Sequence, residues 1–503
     1  MKKRKSTGKK LQKTTLSELG LTIQSGENLS ITGITQDSRK VQAGFLFAAL
    51  PGVNSHGINF ASSAIQAGAI AILTDKMGYS KYLTNSKSED VVFIVVEKPR
   101  ETLARCAALW FDQQPAKIVA VTGTNGKTSV ASFCQQIWSN LEIEAVSIGT
   151  TGVLGSWTQP LKHTTPDALE MHELLSTLKA NGIDHVALEA SSHGLKQSRL
   201  DGVQFSGAGF TNFSQDHLDY HKSLEKYFDA KALLFRQLLP IDKTAVINVD
   251  DDRIKVLAEE LKALGHSVVT LGASKHANIK LKRQSFDSSG QEVLFEYDGK
   301  IYQKRLNLIG GFQAQNVLMA AALVISLGSK PQDVFSILHN LITVRGRMEL
   351  AASRANGANV FVDYAHTPDA IETAIKSLRP HVFGRIIAVI GAGGDRDQSK
   401  RPLMGLAAYQ NADVVIVTDD NPRSEDPSKI RQMVLQSIDP GAVHEFGDRA
   451  EAILRAVDML DPGDALLICG KGHETGQVIG DDILPFDDVE QASISVEALD
   501  GAL

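Results

Sequence analysis

Short apolar runs separated by longer stretches of mixed polarity recur along this chain, and their spacing predicts strands alternating with helices. The run Lys117-Ile118-Val119-Ala120-Val121 is apolar at consecutive positions, as expected of a strand buried on both faces. Further runs lie at 186–188, 208–210 and 244–249, with helix-like stretches such as 168–179 between them. A second series at 360–362, 386–390, 414–417 and 465–468 repeats the rhythm. Such alternation implies an α/β fold built on parallel sheets.

The pattern breaks near Gln113-Gln114-Pro115 and again near Val344-Arg345-Gly346-Arg347. Three domains are therefore expected, at 1–114, 115–343 and 344–503, in keeping with a chain too long for one core. The first contains DSRKVQAGFLFAALPG and a helix-to-strand unit AIQAGAIAILTD, a small α/β domain whose task the residues alone leave open.

Composition narrows the class. With 43% hydrophobic and 22% charged residues the chain reads as a soluble globular protein. No apolar run nears the ~18 residues of a membrane span. Three scattered cysteines, Cys106, Cys134 and Cys469, give neither a disulfide framework nor a zinc pattern, which fits a reducing compartment. A net charge of -6 argues against a general nucleic-acid binder. The basic opening MKKRKSTGKK has no apolar region after it and reads as a solvated tail over residues 1–10.

In open α/β sheets ligands bind at the carboxyl ends of the strands. The loops that follow the last four runs are DYAHTPD, GAGGDRD, TDDNPR and CGKGHE, each rich in charge, glycine or both. After the strand ending at Thr122 comes GTNGKTS, comprising Gly123, Thr124, Asn125, Gly126, Lys127, Thr128 and Ser129. Successive backbone N–H groups and a helix N-terminus would cradle phosphates there. Lys127 would reach the β/γ-phosphates and the Thr128 hydroxyl would hold Mg2+. The string departs from the usual phosphate loop in having Val121 where its first glycine stands.

Glu189, at the end of the next strand, sits where an acid commonly completes a Mg2+ shell. FTNFSQDHLDYH crowds Asp216, His217, Asp219 and His221 into six positions on the same edge, a candidate metal region. Lys231, in YFDAKALLF, reads from spacing alone as an exposed helix lysine, although burial would favour its neutral form. Arg345, Arg347, Arg396, Arg401 and Arg423 are candidates to grip phosphates or carboxylates through the guanidinium fork.

GTNGKTS, HTTPD, EASSHGLKQSR, FTNFSQDHLDYH, DYAHTPD, GDRDQSKRPLMG, DNPR and GKGHE occur in an order that resembles the Mur ligase family over essentially the whole chain. The resemblance implies an N-terminal domain for a UDP-linked substrate, a central P-loop ATPase domain and a C-terminal Rossmann-like domain for the incoming amino acid. It implies an ATP-driven cytoplasmic amide ligase of peptidoglycan synthesis that adds meso-diaminopimelate to UDP-N-acetylmuramoyl-L-alanyl-D-glutamate. ATP is then a co-substrate, two Mg2+ ions serve as cofactors, and a monomer without nucleic-acid or membrane partners is expected.

Carried over by motif, Ser38, Thr164, Thr165, Ser191, Gln197 and Arg199 should contact the UDP-muramoyl dipeptide, and Asn316, Arg347 and Asp363 should join the phosphate loop in holding ATP. Lys231 matches the lysine that the family carbamylates, so that it would bind Mg2+ with Glu189 and His217. Arg396, Asp420, Asn421, Pro422, Arg423, Gly470 and Glu474 should hold diaminopimelate, with Arg423 gripping its second carboxylate. A pocket built this way would leave Arg423 unpaired against lysine. GVNSHG departs from the commoner family strings, which leaves Asn54, Ser55 and Gln36 as weak candidates near the uracil. A lysine-adding relative, a folylpolyglutamate-type ligase and a non-catalytic ATP switch are the rival readings. DNPR and the DSR-containing first domain speak against the folylpolyglutamate type, and arginine-bearing loops speak against the switch.

Overall fold

The computed structural model describes residues 13–22, 28–52, 55–85 and 91–501; the basic tail 1–10 and Asn54 lie outside them. Three sheets carry the fold. The first has four parallel strands in the order Gly33–Thr35, Phe45–Ala48, Ala69–Thr74 and Val92–Val95. Helix Pro99–Phe111 packs on it with Leu103 and Cys106 in its core.

The central sheet has ten strands, and Lys117–Thr122 lies inside it between His185–Glu189 and Phe205–Phe210, parallel to both. Alternation along this strand explains its place. Val119 and Val121 point into a core shared with helices Lys127–Asn140 and Phe312–Ser326, whereas Ile118 and Ala120 face helix Ala168–Ala180. Both faces are covered, so every position must be apolar. Thr244–Asn248 and Ser267–Gly272 continue the parallel series. One departure from an all-parallel expectation is the antiparallel meander Ile279–Asp287, Gly290–Tyr297 and Lys300–Leu306, which closes one edge.

The third sheet runs Arg347–Ser353, Asn359–Asp363, Ala465–Cys469, Ile386–Ile390, Val414–Val417 and His444–Glu445, all parallel except the first. Its middle strands are buried throughout. A separate hairpin, Gly476–Ile479 with Asp482–Pro485, stands beside its carboxyl edge. No described helix is long and apolar enough to cross a membrane.

Candidate active site

The carboxyl ends of the central and third sheets face one another across two adjoining cavities of about 480 and 640 Å³. Asp216, His217, Tyr364, His366, Thr367 and Asp369 line both and form their seam.

The smaller cavity gathers the phosphate-loop residues Thr124 to Ser129 with Thr164, Glu189, Ser191, Asn316, Arg347 and Asp363. The loop turns tightly because Gly123 and Gly126 adopt φ of 147° and 82°. A Cβ on Gly123 would lie 1.9 Å from Thr211 Oγ1, and one on Gly126 would lie 2.6 Å from Asn316 Oδ1. Only glycine fits either position. Lys127 Nζ donates to the carbonyls of Gly123 (3.0 Å) and Thr124 (2.7 Å), and Asn125 N–H donates to Asn212 Oδ1 at 2.8 Å. Burial lowers the Lys127 pKa, Arg347 lowers it further, and Glu189 and Asp216 oppose this.

The third domain reaches into this cavity. Arg347 stacks on the Tyr364 ring (4.5 Å) and donates to Thr128 Oγ1 at 3.2 Å, while its buried Nε has no partner. Asp369 accepts from Ser214 Oγ (2.7 Å) and Asn125 Nδ2 (3.2 Å). Both oxygens of Asp363 accept backbone N–H groups, those of Met348 (2.7 Å) and Ala365 (2.9 Å). Burial outweighs these bonds and the Arg347 charge and raises the Asp363 pKa to about 6. Glu189 is held by Thr150, which donates its N–H at 2.7 Å and its hydroxyl at 3.2 Å.

Lys231 corrects the reading from spacing. Far from being exposed, it is 1% accessible, on helix Leu224–Leu233. Its Nζ donates to Gly123 O at 2.7 Å and lies 4.3 Å from the Tyr227 ring centroid. Burial, with the charge of Lys127 added, pulls its pKa well below the ordinary lysine value. It does not line either cavity; it sits behind the phosphate loop. His217 is more open, with 44% of its side chain accessible and a left-handed φ of 53°. Desolvation within the cleft still lowers its pKa to about 4, with His193, Lys127 and Lys231 adding to this and Asp216 opposing it.

The larger cavity is lined by Arg396, Asp420, Asn421, Arg423, Gly470 and Glu474, but not by Pro422. Asn421 is largely committed to protein partners. Its Oδ1 accepts from Lys471 Nζ (3.1 Å) and Val478 N–H (2.9 Å), and its Nδ2 donates to Glu474 Oε2 (2.8 Å). Arg423, at φ 52°, donates to Gly394 O at 2.8 Å, and the hairpin at 476–485 pins its backbone through Val478 and Gly480.

A third, smaller cavity of about 190 Å³ lies between the first and central domains and includes Gln36, Arg100, His163, Gln197 and Arg199. Arg199 donates to Gln197 Oε1 (2.8 Å) and Thr165 O (2.7 Å). Thr165 is buried and its hydroxyl is tied to Glu189 O (2.8 Å) and Ser191 Oγ (3.0 Å). Ser38 lines none of the three cavities; it opens a short 3-10 turn capped by Asp37. Ser55 lines none of them either.

Two arginines leave the candidate set. Arg345 pairs with Asp487 and Arg401 is buried against Glu425, and neither lines any of these three cavities. Conversely, Thr150, Arg100, Asp369, His366 and Lys471 were not singled out from sequence. HTTPD, DYAHTPD and GKGHE flagged the neighbourhoods of Thr164, Asp369 and Lys471, but nothing local marks Thr150 or Arg100.

A phosphate loop facing arginine-bearing loops across a domain seam defines a nucleotide-dependent enzyme with a second substrate pocket beside the nucleotide. Family models fix which one. The Mur ligase family catalytic domain matches residues 30–110, the Mur ligase middle domain 121–324, and the Mur ligase glutamate ligase domain 346–472. The UDP-N-acetylmuramoyl-L-alanyl-D-glutamate--2,6-diaminopimelate ligase of Caulobacter vibrioides is 45% identical over 93% of this chain and 96% of its own length. The protein of the same name from Bradyrhizobium diazoefficiens is 46% identical over 93% and 95%. A solved structure with that name superposes with a TM-score of 0.69 at 32% identity, covering 97% of this chain and 99% of its own. Folylpolyglutamate synthase of Mycobacterium tuberculosis shares the fold at 19% identity, with a TM-score of 0.62 over 74% of this chain and 91% of its own. The chain belongs to the Mur ligase family.

Proposed function

We propose that this protein is the ATP-dependent ligase that joins meso-2,6-diaminopimelate to the D-glutamyl residue of UDP-N-acetylmuramoyl-L-alanyl-D-glutamate, in the cytoplasmic stage of peptidoglycan synthesis. The observation that carries the reading is the seam. A cavity built on a phosphate loop opens onto one in which Arg396 and Arg423 face Asp420 and Glu474. The near-full-length likeness to proteins bearing that name supports the choice of substrates.

In this reading ATP lies along residues 123–129, with its phosphates against backbone N–H groups, Lys127 and Arg347. The γ-carboxylate of the D-glutamyl residue attacks the γ-phosphorus, ADP leaves, and an acyl phosphate forms. The amine of diaminopimelate then attacks the acyl carbon, and the tetrahedral intermediate expels inorganic phosphate as the amide forms. Burial strengthens the contacts that Lys127 and Arg347 make with the charge crowded on the transferring phosphoryl group. Arg423 and Arg396 orient the amine substrate, and the cavity of Gln197, Arg199 and Arg100 receives part of the UDP substrate.

Thr128, Glu189 and His217 line the phosphate cavity together and supply oxygen and imidazole donors. Among the described residues no three His, Cys, Asp or Glu side chains converge into a cage. Mg2+ needs none, because it binds through one or two carboxylates, phosphate oxygens and water. When bound, Mg2+ would offset charge on the phosphate oxygens. Lys231, whose pKa burial pulls well below the ordinary lysine value, is suited to carbamylation, and the resulting anion would exchange its bond to Gly123 O for the metal region. Incubation with ATP, Mg2+, the UDP-dipeptide and diaminopimelate should yield the UDP-tripeptide by mass spectrometry. Its absence when the dipeptide and ATP are both consumed would refute the proposal.

A further inference from the structure

Arg401 is 1% exposed and lines neither cavity, yet it is wired to both loops that carry the arginines of the larger one. Its guanidinium forks onto Glu425, with Nη2 to Oε1 at 2.8 Å and Nη1 to Oε2 at 2.9 Å, and Nη2 also donates to Gly393 O at 3.1 Å. Glu425 in turn accepts Asp395 N–H at 2.6 Å and Gln398 Nε2 at 3.3 Å. One carboxylate thus joins the loop of Arg396 to the loop of Arg423.

A second stitch lies on the solvent side. Ser424 donates its hydroxyl to Asp395 Oδ1 at 2.7 Å and its N–H to Asp395 Oδ2 at 3.2 Å. The backbones touch as well: Gly394 N–H donates to Asn421 O at 2.9 Å, and a Cβ on Gly394 would lie 1.8 Å from Pro422 O. Asp395 and Arg423 both hold left-handed φ, at 53° and 52°. Non-glycine residues keep such angles only where surrounding contacts over-determine them. Two like charges, Arg396 and Arg423, face one cavity and repel, so the stitches between their loops act against a force that would part them.

We propose that the Arg401–Glu425 pair is a positioning device for the amine substrate: it sets the spacing of Arg396 and Arg423 and so the grip on the far carboxylate of a diamino dicarboxylic acid. This rests on the function proposed above. Neither residue touches substrate; both act through the loops. A site held by buried supporting bonds keeps its geometry to within a fraction of an ångström, and loss of that support shows first as weaker substrate binding.

The test uses Arg401→Met, which removes the buried cation instead of stranding it. Glu425, with 24% of its side chain accessible, can then turn to water. The KM for diaminopimelate should rise about tenfold while the KM values for ATP and the UDP-dipeptide stay within about twofold, and the preference for diaminopimelate over lysine should fall. Ser424→Ala, which alters only the outer stitch, should raise the same KM by about two- to threefold. If all three KM values rise together, or the diaminopimelate KM does not move, the positioning role is overturned. Should Arg401→Met not fold, Glu425→Gln, which removes the charge of the same pair from its partly exposed partner, must raise the diaminopimelate KM alone, and an unchanged value there overturns the proposal. Wild-type enzyme that ignores diaminopimelate would instead overturn the functional reading, and the clasp with it.

Discussion

The two adjoining cavities are built on opposite plans. The phosphate cavity is organised by seven consecutive residues, Gly123 to Ser129, whose backbone does much of the binding in the proposed function and whose glycines are forced by contact with Thr211 and Asn316. The amine cavity is assembled from loops at 391–397, 419–425 and 470–474, held in register by buried side chains that never reach it. The first is a local structure carried on one strand and one helix. In the second, Arg401, Glu425 and Lys471 tie separate loops together. Chemistry that must serve any acceptor can sit on a rigid turn, whereas selectivity for one acceptor needs several points fixed independently.

The difference predicts where substitutions act. Lys127→Ala should lower kcat on the order of 10³-fold, as loss of a preorganised charge does, with little change in the KM for diaminopimelate. Steady-state phosphate release measures both parameters, and a shift confined to KM would erase the distinction between the cavities. Arg423→Ala should leave ATP binding alone and cut the preference for diaminopimelate over lysine by about 10²-fold or more, because the unpaired cation that disfavours lysine is gone. Competition between the two amines, read by product mass, gives this ratio directly.

Asp363 sharpens the comparison at the seam. Its pKa is raised to about 6 in the folded protein, so the native state holds this proton more tightly than the unfolded chain, whose carboxyl titrates near 4. That contribution is full below about pH 4 and is lost as the pH rises through about 6. The ligand-free protein should therefore lose part of its thermal stability across that window. Asp363→Asn should lie lower throughout, because one backbone N–H loses its acceptor, but with a flatter profile. A melting series from pH 4.5 to 7 decides, and parallel profiles would refute the assignment. The smallest effect belongs to Arg345→Ala. Its pair with Asp487 lies half in solvent and outside both cavities, so stability should change by less than about 1 kcal/mol and turnover not at all.

The same contrast governs what the sequence disclosed. The strand at 117–122, the helix after Gly126, four of the six strands of the third sheet and the acid at the end of His185–Glu189 were legible because each depends on neighbours within a few residues. The antiparallel edge at 279–306 was not, since its strands are largely polar and carry only one short apolar run, Val293-Leu294-Phe295. Lys231 was misread from spacing because a lysine on a helix is ordinarily outward, whereas here Glu225, Lys226 and Asp229 form the exposed face and Lys231 lies among the buried Tyr227, Ala230 and Ala232. Arg401 failed for the opposite reason. It follows a ligand-like GDRDQSK string, and only tertiary packing reveals that it turns inward to Glu425. Ser38 and Pro422 were carried over from the family's motifs, and neither lines any of the three cavities described above.

The most direct test of the whole account is phosphate release from ATP in the presence of Mg2+ and UDP-N-acetylmuramoyl-L-alanyl-D-glutamate, comparing meso-diaminopimelate, L-lysine and no amine. Turnover with diaminopimelate alone is the predicted result. Equal release with lysine would contradict the role given to Arg423, and release that ignores every amine would contradict the ligase itself.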